Sequence, residues 1–332
     1  MNSPSLVTLS AVKRAREQVA GKVHHTPVKS SASLGRMFGC NLFVKEELFQ
    51  RTGAFKLRGA LVRIAALSAQ ERRQGVCTVS AGNHAQGTAL AANMAGIPCL
   101  VVMPVNAVRS KVDATRDYGA EVILHGDLTT IFERVHQEEK DRNLTFIHPF
   151  DHPDIIAGQG TVGLELMEDV PDLDLVIVPI GGGGLASGVA AAVKGLSPGT
   201  RVIGVEPFGA DAMWQSLQSG RPETLARLNT IADGLSAPFA GERTLAHISR
   251  LVDDVVRVTD QEIVAAMRLL ATRCKIMAEP AGAAATAALA AGKITGLTPR
   301  SRVAVIVSGG NIDLGRLAEL LAPDRPLESV VS

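Results

Sequence analysis

From Gly75 onward, short β-branched or apolar runs alternate with longer amphipathic stretches, the pattern of a parallel sheet covered by helices. Strands are predicted near Val76 to Ser80, Cys99 to Met103 and Glu121 to Leu124, with helices through Ala85 to Ala95 and Arg109 to Asp117 between them. The apolar runs Leu175 to Ile180, Val202 to Glu206, Val255 to Val258 and Val303 to Val307 repeat the alternation and predict a second sheet. Thr259 and Glu262 stand at capping-box spacing, so a helix is predicted to start at Thr259 and run to about Lys275. The segment HPFDHPD, with Pro149 and Pro153, breaks both periodicities and marks a loop between the halves, where ligand crevices are favoured. The fold class is α/β, in two domains, each a mainly parallel sheet flanked by helices.

Composition removes several function classes. The 332 residues carry 34 Lys plus Arg against 33 Asp plus Glu, and a net charge of +1 gives no footprint for nucleic acid or an anionic membrane. Hydrophobic residues reach 46%, yet no apolar run is long enough for a bilayer span. The N-terminal stretch lacks the basic-then-apolar order of a secretory signal, so a cytoplasmic location is expected. Cys40, Cys77, Cys99 and Cys274 are widely spaced with no CxxC, which argues against a zinc site or disulfide framework and for buried thiols. One Trp, one Tyr and nine Phe are too few for a nucleotide-stacking surface, so the ligand is expected to be small. After about Leu321 only a short Pro-containing tail follows, and no appended regulatory domain is expected.

Two segments carry chemistry. The run IVPIGGGGLASG sets Gly181, Gly182, Gly183 and Gly184 between an apolar strand and an alanine-rich helix predicted from near Ala186. Residues without Cβ let successive N–H groups turn toward one anion, and the helix N-terminus adds partial positive charge, so a phosphate is expected there; the bland alternative is a flexible turn. The run matches neither GxGxxG with an acidic ribose ligand nor GxxxxGK[ST], although Glu206 lies near the distance a nucleotide-dependent oxidoreductase would want. In QRTGAFKLRGA, Lys56 stands between Phe55 and Leu57. Desolvation there would lower its pKa and ready it for a Schiff base with an aldehyde; the alternative is a surface lysine snorkelling past a Phe.

TGAFKLRGA resembles the cofactor-lysine motif of the fold type II pyridoxal-phosphate (PLP) enzymes, in the branch holding threonine/serine dehydratases and serine racemase. Cysteine-synthase-like and threonine-synthase-like members continue from the lysine into Asp-Arg, whereas here Leu57, Arg58, Gly59 and Ala60 follow. Matching segments recur in order from about Leu9 to Leu321. The resemblance implies a large PLP-binding domain of residues 1–50 and 147–332 and a small domain of 51–146. It implies PLP on Lys56, with Phe55, Asn83, Gly181 to Gly184 and Leu185 around it and Ser308 of VSGGN facing the pyridine nitrogen. SAGNHAQG resembles the loop that holds the substrate carboxylate, through Ser80, Ala81, Gly82, Asn83 and His84, with Asn83 also reaching the cofactor's 3′-oxygen and His84 orienting the loop. AGQGTVGLE, Ala157 to Glu165, resembles the family's crossover helix and is read as packing.

The activity so implied is dehydration and deamination of a β-hydroxy amino acid such as L-threonine or L-serine, in a homodimer. Where serine racemases carry a serine as a second acid/base this chain has Ala81, and a methyl group moves no proton, so dehydratase is favoured over racemase. GVEPFGADA resembles the racemase-type cation loop, with Glu206 and the carbonyl of Ala210 as ligands; Ala212 replaces its third carboxylate, which leaves a divalent or a monovalent cation open. His24, His25, His148 and His152 are assigned solvated or structural roles. HGDLTTIF lacks the acidic and tyrosine residues often found there in threonine dehydratases, so 3-hydroxyaspartate, a phenylserine or a hydroxylated diaminobutyrate stay open as substrates.

Overall fold

The computed structural model describes residues 4–127 and 130–322; Leu128 and Thr129 of the HGDLTTIF segment lie outside the described residues. The strands are β1 (Val28–Ser30), β2 (Asn41–Glu46), β3 (Val76–Val79), β4 (Cys99–Met103), β5 (Glu121–Leu124), β6 (Thr145–Phe146), β7 (Leu175–Pro179), β8 (Arg201–Pro207), β9 (Asp254–Val258) and β10 (Arg302–Val307). The helices are α1 (Leu9–Val19), α2 (Ala32–Phe38), α3 (Lys56–Ala65), α4 (Ala69–Gln74), α5 (Asn83–Met94), α6 (Arg109–Asp117) and α7 (Ile131–Arg142). They continue with α8 (Pro153–Asp169), α9 (Gly184–Leu196), α10 (Ala212–Ser219), α11 (Glu242–Leu251), α12 (Asp260–Leu269), α13 (Pro280–Ala290) and α14 (Leu314–Leu321).

Two sheets result. One has the order β5-β4-β3-β6 and is wholly parallel; the other has the order β1-β2-β10-β7-β8-β9 and is parallel except for β1 against β2. Strands β3, β4 and β7 are buried along their whole length, as strands covered by helices on both faces must be. The α/β class and the predicted strands are recovered to within a residue or so at their ends. Among the described residues no helix is long and apolar enough to cross a membrane.

Three helix limits differ from expectation. The segment read as a loop from Ser80 is short, because α5 already begins at Asn83; Asn and His are poor helix formers and hid the start. Helix α9 begins at Gly184 rather than near Ala186, where glycine masked it. The Thr259 capping box is present, but α12 ends at Leu269 and Leu270–Cys274 form a π-turn that stops at Lys275 in the left-handed conformation.

Helix α8 packs against α3 on one side and α9 on the other through glycine. A Cβ on Gly158 would lie 2.6 Å from the Cα of Gly59 in α3, and one on Gly160 would lie 2.8 Å from the carbonyl oxygen of Gly188 in α9. Beside this contact, Arg58 of α3 is fully buried and makes two hydrogen bonds to each of Glu47 and Glu165, while buried Lys45 donates to Glu165 at 2.8 Å. Two cations and two carboxylates thus neutralise one another inside the protein, which is the condition for burying any of them.

Candidate active site

Lys56 is the first residue of α3, just past the end of β10. The amide of Phe55 donates to the carbonyl of Ser308 at 3.2 Å, and Ala54 bridges to Gly309. The Lys56 side chain keeps partial access to the cleft, but its amine is enclosed by protein and donates to the Pro149 carbonyl at 2.9 Å. Burial pulls that amine down to about 8. The Phe55 ring lies 5.3 Å from it.

Two histidines face the lysine. His84 is pushed down to about 3 and His148 to about 4, in both cases first by burial and then by the Lys56 charge, so both are neutral. His84 Nε2 donates to the carbonyl of Ile147 at 3.2 Å. His148, assigned from sequence to a solvated or structural role, is half-buried in the HPFDHPD loop, next to the Pro149 whose carbonyl accepts from the amine.

Gly181 to Gly184 join β7 to α9. Their lack of side chains is needed for packing: a Cβ on Gly182 would collide with the Phe150 ring, one on Gly181 would lie 3.0 Å from the Cα of Leu235, and Gly183 has φ +90°. Gly183, the N-cap of α9, offers no side-chain acceptor, so the first amides of the helix are left for an anion. Leu185 is buried in that first turn. The Lys56 amine bonds Pro149 and the next residue, Phe150, packs under Gly182, so the amine and the glycine loop share one wall.

On the other side of the cleft, Ser80 Oγ accepts the amide of Gly82 at 3.1 Å, with Ala81 between them, and Gly82 caps α5 without a side chain, exposing a second set of helix amides. Asn83 Nδ2 donates to Glu279 Oε1 at 2.6 Å, and Asn83 Oδ1 accepts from Asn311 Nδ2 at 2.8 Å. Asn311 also donates to the Thr52 carbonyl. Glu279 is raised to about 7, by burial above all. Sequence reasoning missed Glu279; its signal was a single acid in the apolar run MAEPAGAAA, directly before the proline that opens α13. Lys111 of α6, also missed, would lie 3.9 Å from a Cβ on Gly82 and pairs with Asp233 at 3.5 Å.

Glu206 and Ala210 are buried, and Met213, whose amide Glu206 accepts, would lie 2.9 Å from a Cβ on Gly183 of the glycine loop. Both Glu206 oxygens accept amides, from Met213 at 3.0 Å and Trp214 at 2.7 Å, and burial raises the carboxyl to about 8. Asp211 is paired with Arg257 at 2.8 Å. Among the described residues no group of three or more His, Cys, Asp or Glu side chains could hold a metal ion.

A phosphate-bearing aldehyde fits these donors: a lowered amine at one end of the cleft and, at the other, a side-chain-free turn leading into uncapped helix amides. The chain matches the family described as "Pyridoxal-phosphate dependent enzyme" over residues 19–309. It is 43% identical over 315 residues to the catabolic L-threonine dehydratase of Escherichia coli, covering 95% of this chain and 96% of that one. It is 44% identical over 317 residues to a serine racemase of Oryza sativa, covering 94% and 93%. The structure of maize serine racemase superposes with a TM-score of 0.91 at 42% identity, covering 95% of this chain and 97% of the other. With sequence, fold and cleft in agreement, the chain belongs to the fold type II pyridoxal-phosphate dependent enzymes, in the family of threonine/serine dehydratases and serine racemase.

Proposed function

We propose that this protein removes water and then ammonia from a β-hydroxy amino acid such as L-threonine or L-serine, leaving a 2-oxo acid. The observation that carries the reading is the Lys56 amine, brought to about 8 by burial and bonded to a carbonyl rather than a carboxylate, so that a neutral base is available near neutral pH. Pyridoxal phosphate, when bound, supplies an aldehyde for amines and a ring that takes up charge left at Cα. Lys56 would hold the aldehyde, and its amine would be the group placed to take the Cα proton.

The amides of Gly181 to Gly184 and Leu185 would hold the phosphate, Phe55 flanks the lysine, and Asn83, its own amide fixed by Glu279 and Asn311, would hold the 3′-oxygen. Ser308 would face the pyridine nitrogen as a neutral hydroxyl; it could not keep that nitrogen protonated by charge pairing, which would suit elimination better than transamination. Ser80, Ala81, Gly82, Asn83 and the N-terminus of α5 bind the substrate carboxylate, and neutral His84 orients that turn. Relatives of similar identity include dehydratases and racemases, so Ala81 decides between them: its methyl offers no second acid/base. A divalent or monovalent cation, if held by Glu206 and the Ala210 carbonyl, would meet a carboxyl whose two oxygens already accept the Met213 and Trp214 amides. The division into domains of residues 51–146 and of 1–50 with 147–332 is supported by β3 to β6 falling within the first range. The free thiols suit the reducing cytoplasm, and homodimerisation is proposed from the family.

A screen of β-hydroxy amino acids for 2-oxo acid formation identifies the substrate. Lys56→Ala should lose the cofactor's visible absorbance and nearly all product; retained turnover refutes the assignment. Efficient racemisation of L-serine by the wild type refutes the choice made on Ala81.

A further inference from the structure

The turn at residues 148–151 is held from within by its own first side chain. His148 Nδ1 accepts the amides of both Phe150, at 3.2 Å, and Asp151, at 2.8 Å, the arrangement that an Asn or Asp oxygen makes in an Asx turn. A nitrogen that accepts is unprotonated, so the imidazole proton is on Nε2. Aromatic rings of Phe146, Phe150 and Phe239 surround the imidazole, at centroid distances of 6.0, 4.6 and 6.4 Å.

The N–H of Phe150 and the C=O of Pro149 are the two ends of one planar peptide group and point in opposite directions. Fixing the N–H on the imidazole therefore aims the carbonyl the other way, where it receives the Lys56 amine at 2.9 Å. We infer that His148 is a positioning residue for the Lys56 amine, acting through the Pro149–Phe150 peptide plane. The inference rests on the function proposed for Lys56.

The titratable groups facing His148 are Lys56 of α3, His84 of α5, His136 of α7 and His152 at the start of α8. A carboxylate at position 148 could form the same turn, but its charge would hold the proton on Lys56. A neutral imidazole fixes the plane without doing so.

Three full-length variants separate this role from simple packing. His148→Leu fills space but accepts nothing: kcat should fall about 10- to 100-fold with KM changed little, and the cofactor-free chain should capture added pyridoxal phosphate more slowly, followed by the visible band. His148→Asn restores the acceptor and should return both rates to within about threefold of wild type. His148→Asp keeps the turn but should move the pH midpoint of capture upward from about 8. Equal impairment in the Leu and Asn variants, or an Asp variant with an unmoved midpoint, overturns the inference. Should the Leu variant fail to fold, the Asn and Asp variants still decide it. A wild-type chain that never develops the visible band refutes the function proposed for Lys56, a result distinct from these.

Discussion

Replacing Lys56 by Met in the cofactor-free protein should make it more stable at neutral pH. The amine falls from 10.5 to about 8 on burial, some 2.5 units, and at 1.36 kcal/mol per unit this is about 3 kcal/mol of strain carried by the folded chain at pH 7. Access to cleft water reduces that figure, and the substitution also gives up the hydrogen bond to Pro149, worth about 1 kcal/mol, so the net gain is about 1–2 kcal/mol. Between about 8 and 10.5 the unfolded chain binds more protons than the folded one, so wild-type stability rises with pH across that window. The cost is complete below about 8 and gone above 10.5, which makes the advantage of the Met variant pH-dependent. Urea unfolding of both cofactor-free proteins at pH 7, 9 and 10.5 measures it. A Met variant less stable at pH 7, or an advantage that does not shrink by pH 10.5, refutes the claim that desolvation sets the basicity of this amine.

Other substitutions test other parts of the site. Gly182→Ala places a Cβ into the Phe150 ring and should cost about 1–3 kcal/mol of stability and weaken cofactor binding about tenfold or more, read by visible titration. Arg58→Met leaves buried Glu47 without its cationic partner and Glu165 with Lys45 alone, and should cost about 3–5 kcal/mol in urea unfolding. The folded Glu279 carboxyl keeps its proton to about 7, above its ordinary 4.5, so stability of the cofactor-free chain should fall as pH rises through that value. Glu279→Gln removes its share of the fall and leaves the share due to Glu206, which unfolding midpoints at pH 5 and 8 would register.

The strands were legible because parallel strands covered on both faces read as short unbroken apolar runs, as in CLVVM and LVIVP. The starts of α5 and α9 were not, since the residues that free their amides, glycine and asparagine, are those that local propensity scores against a helix. Lys56 and the glycine loop stood out because their residue types are unusual for their surroundings. Glu279 and His148 did not, because their significance comes from a contact with Asn83, 196 positions away, and from the Pro149–Phe150 peptide shared with Lys56, which no local pattern encodes. The buried pairing of Arg58 with Glu165, 107 positions apart, was hidden for the same reason.

Helix α8 acts as a spacer gauge for the catalytic cleft. One of its flanks touches, at bare backbone, the helix that begins with Lys56; its other flank touches the helix that receives the phosphate turn. The gap between amine and anion cradle is thus set by the thickness of a helix stripped of side chains at two points. A single methyl at Gly158 would push the lysine end outward, and one at Gly188 the cradle end.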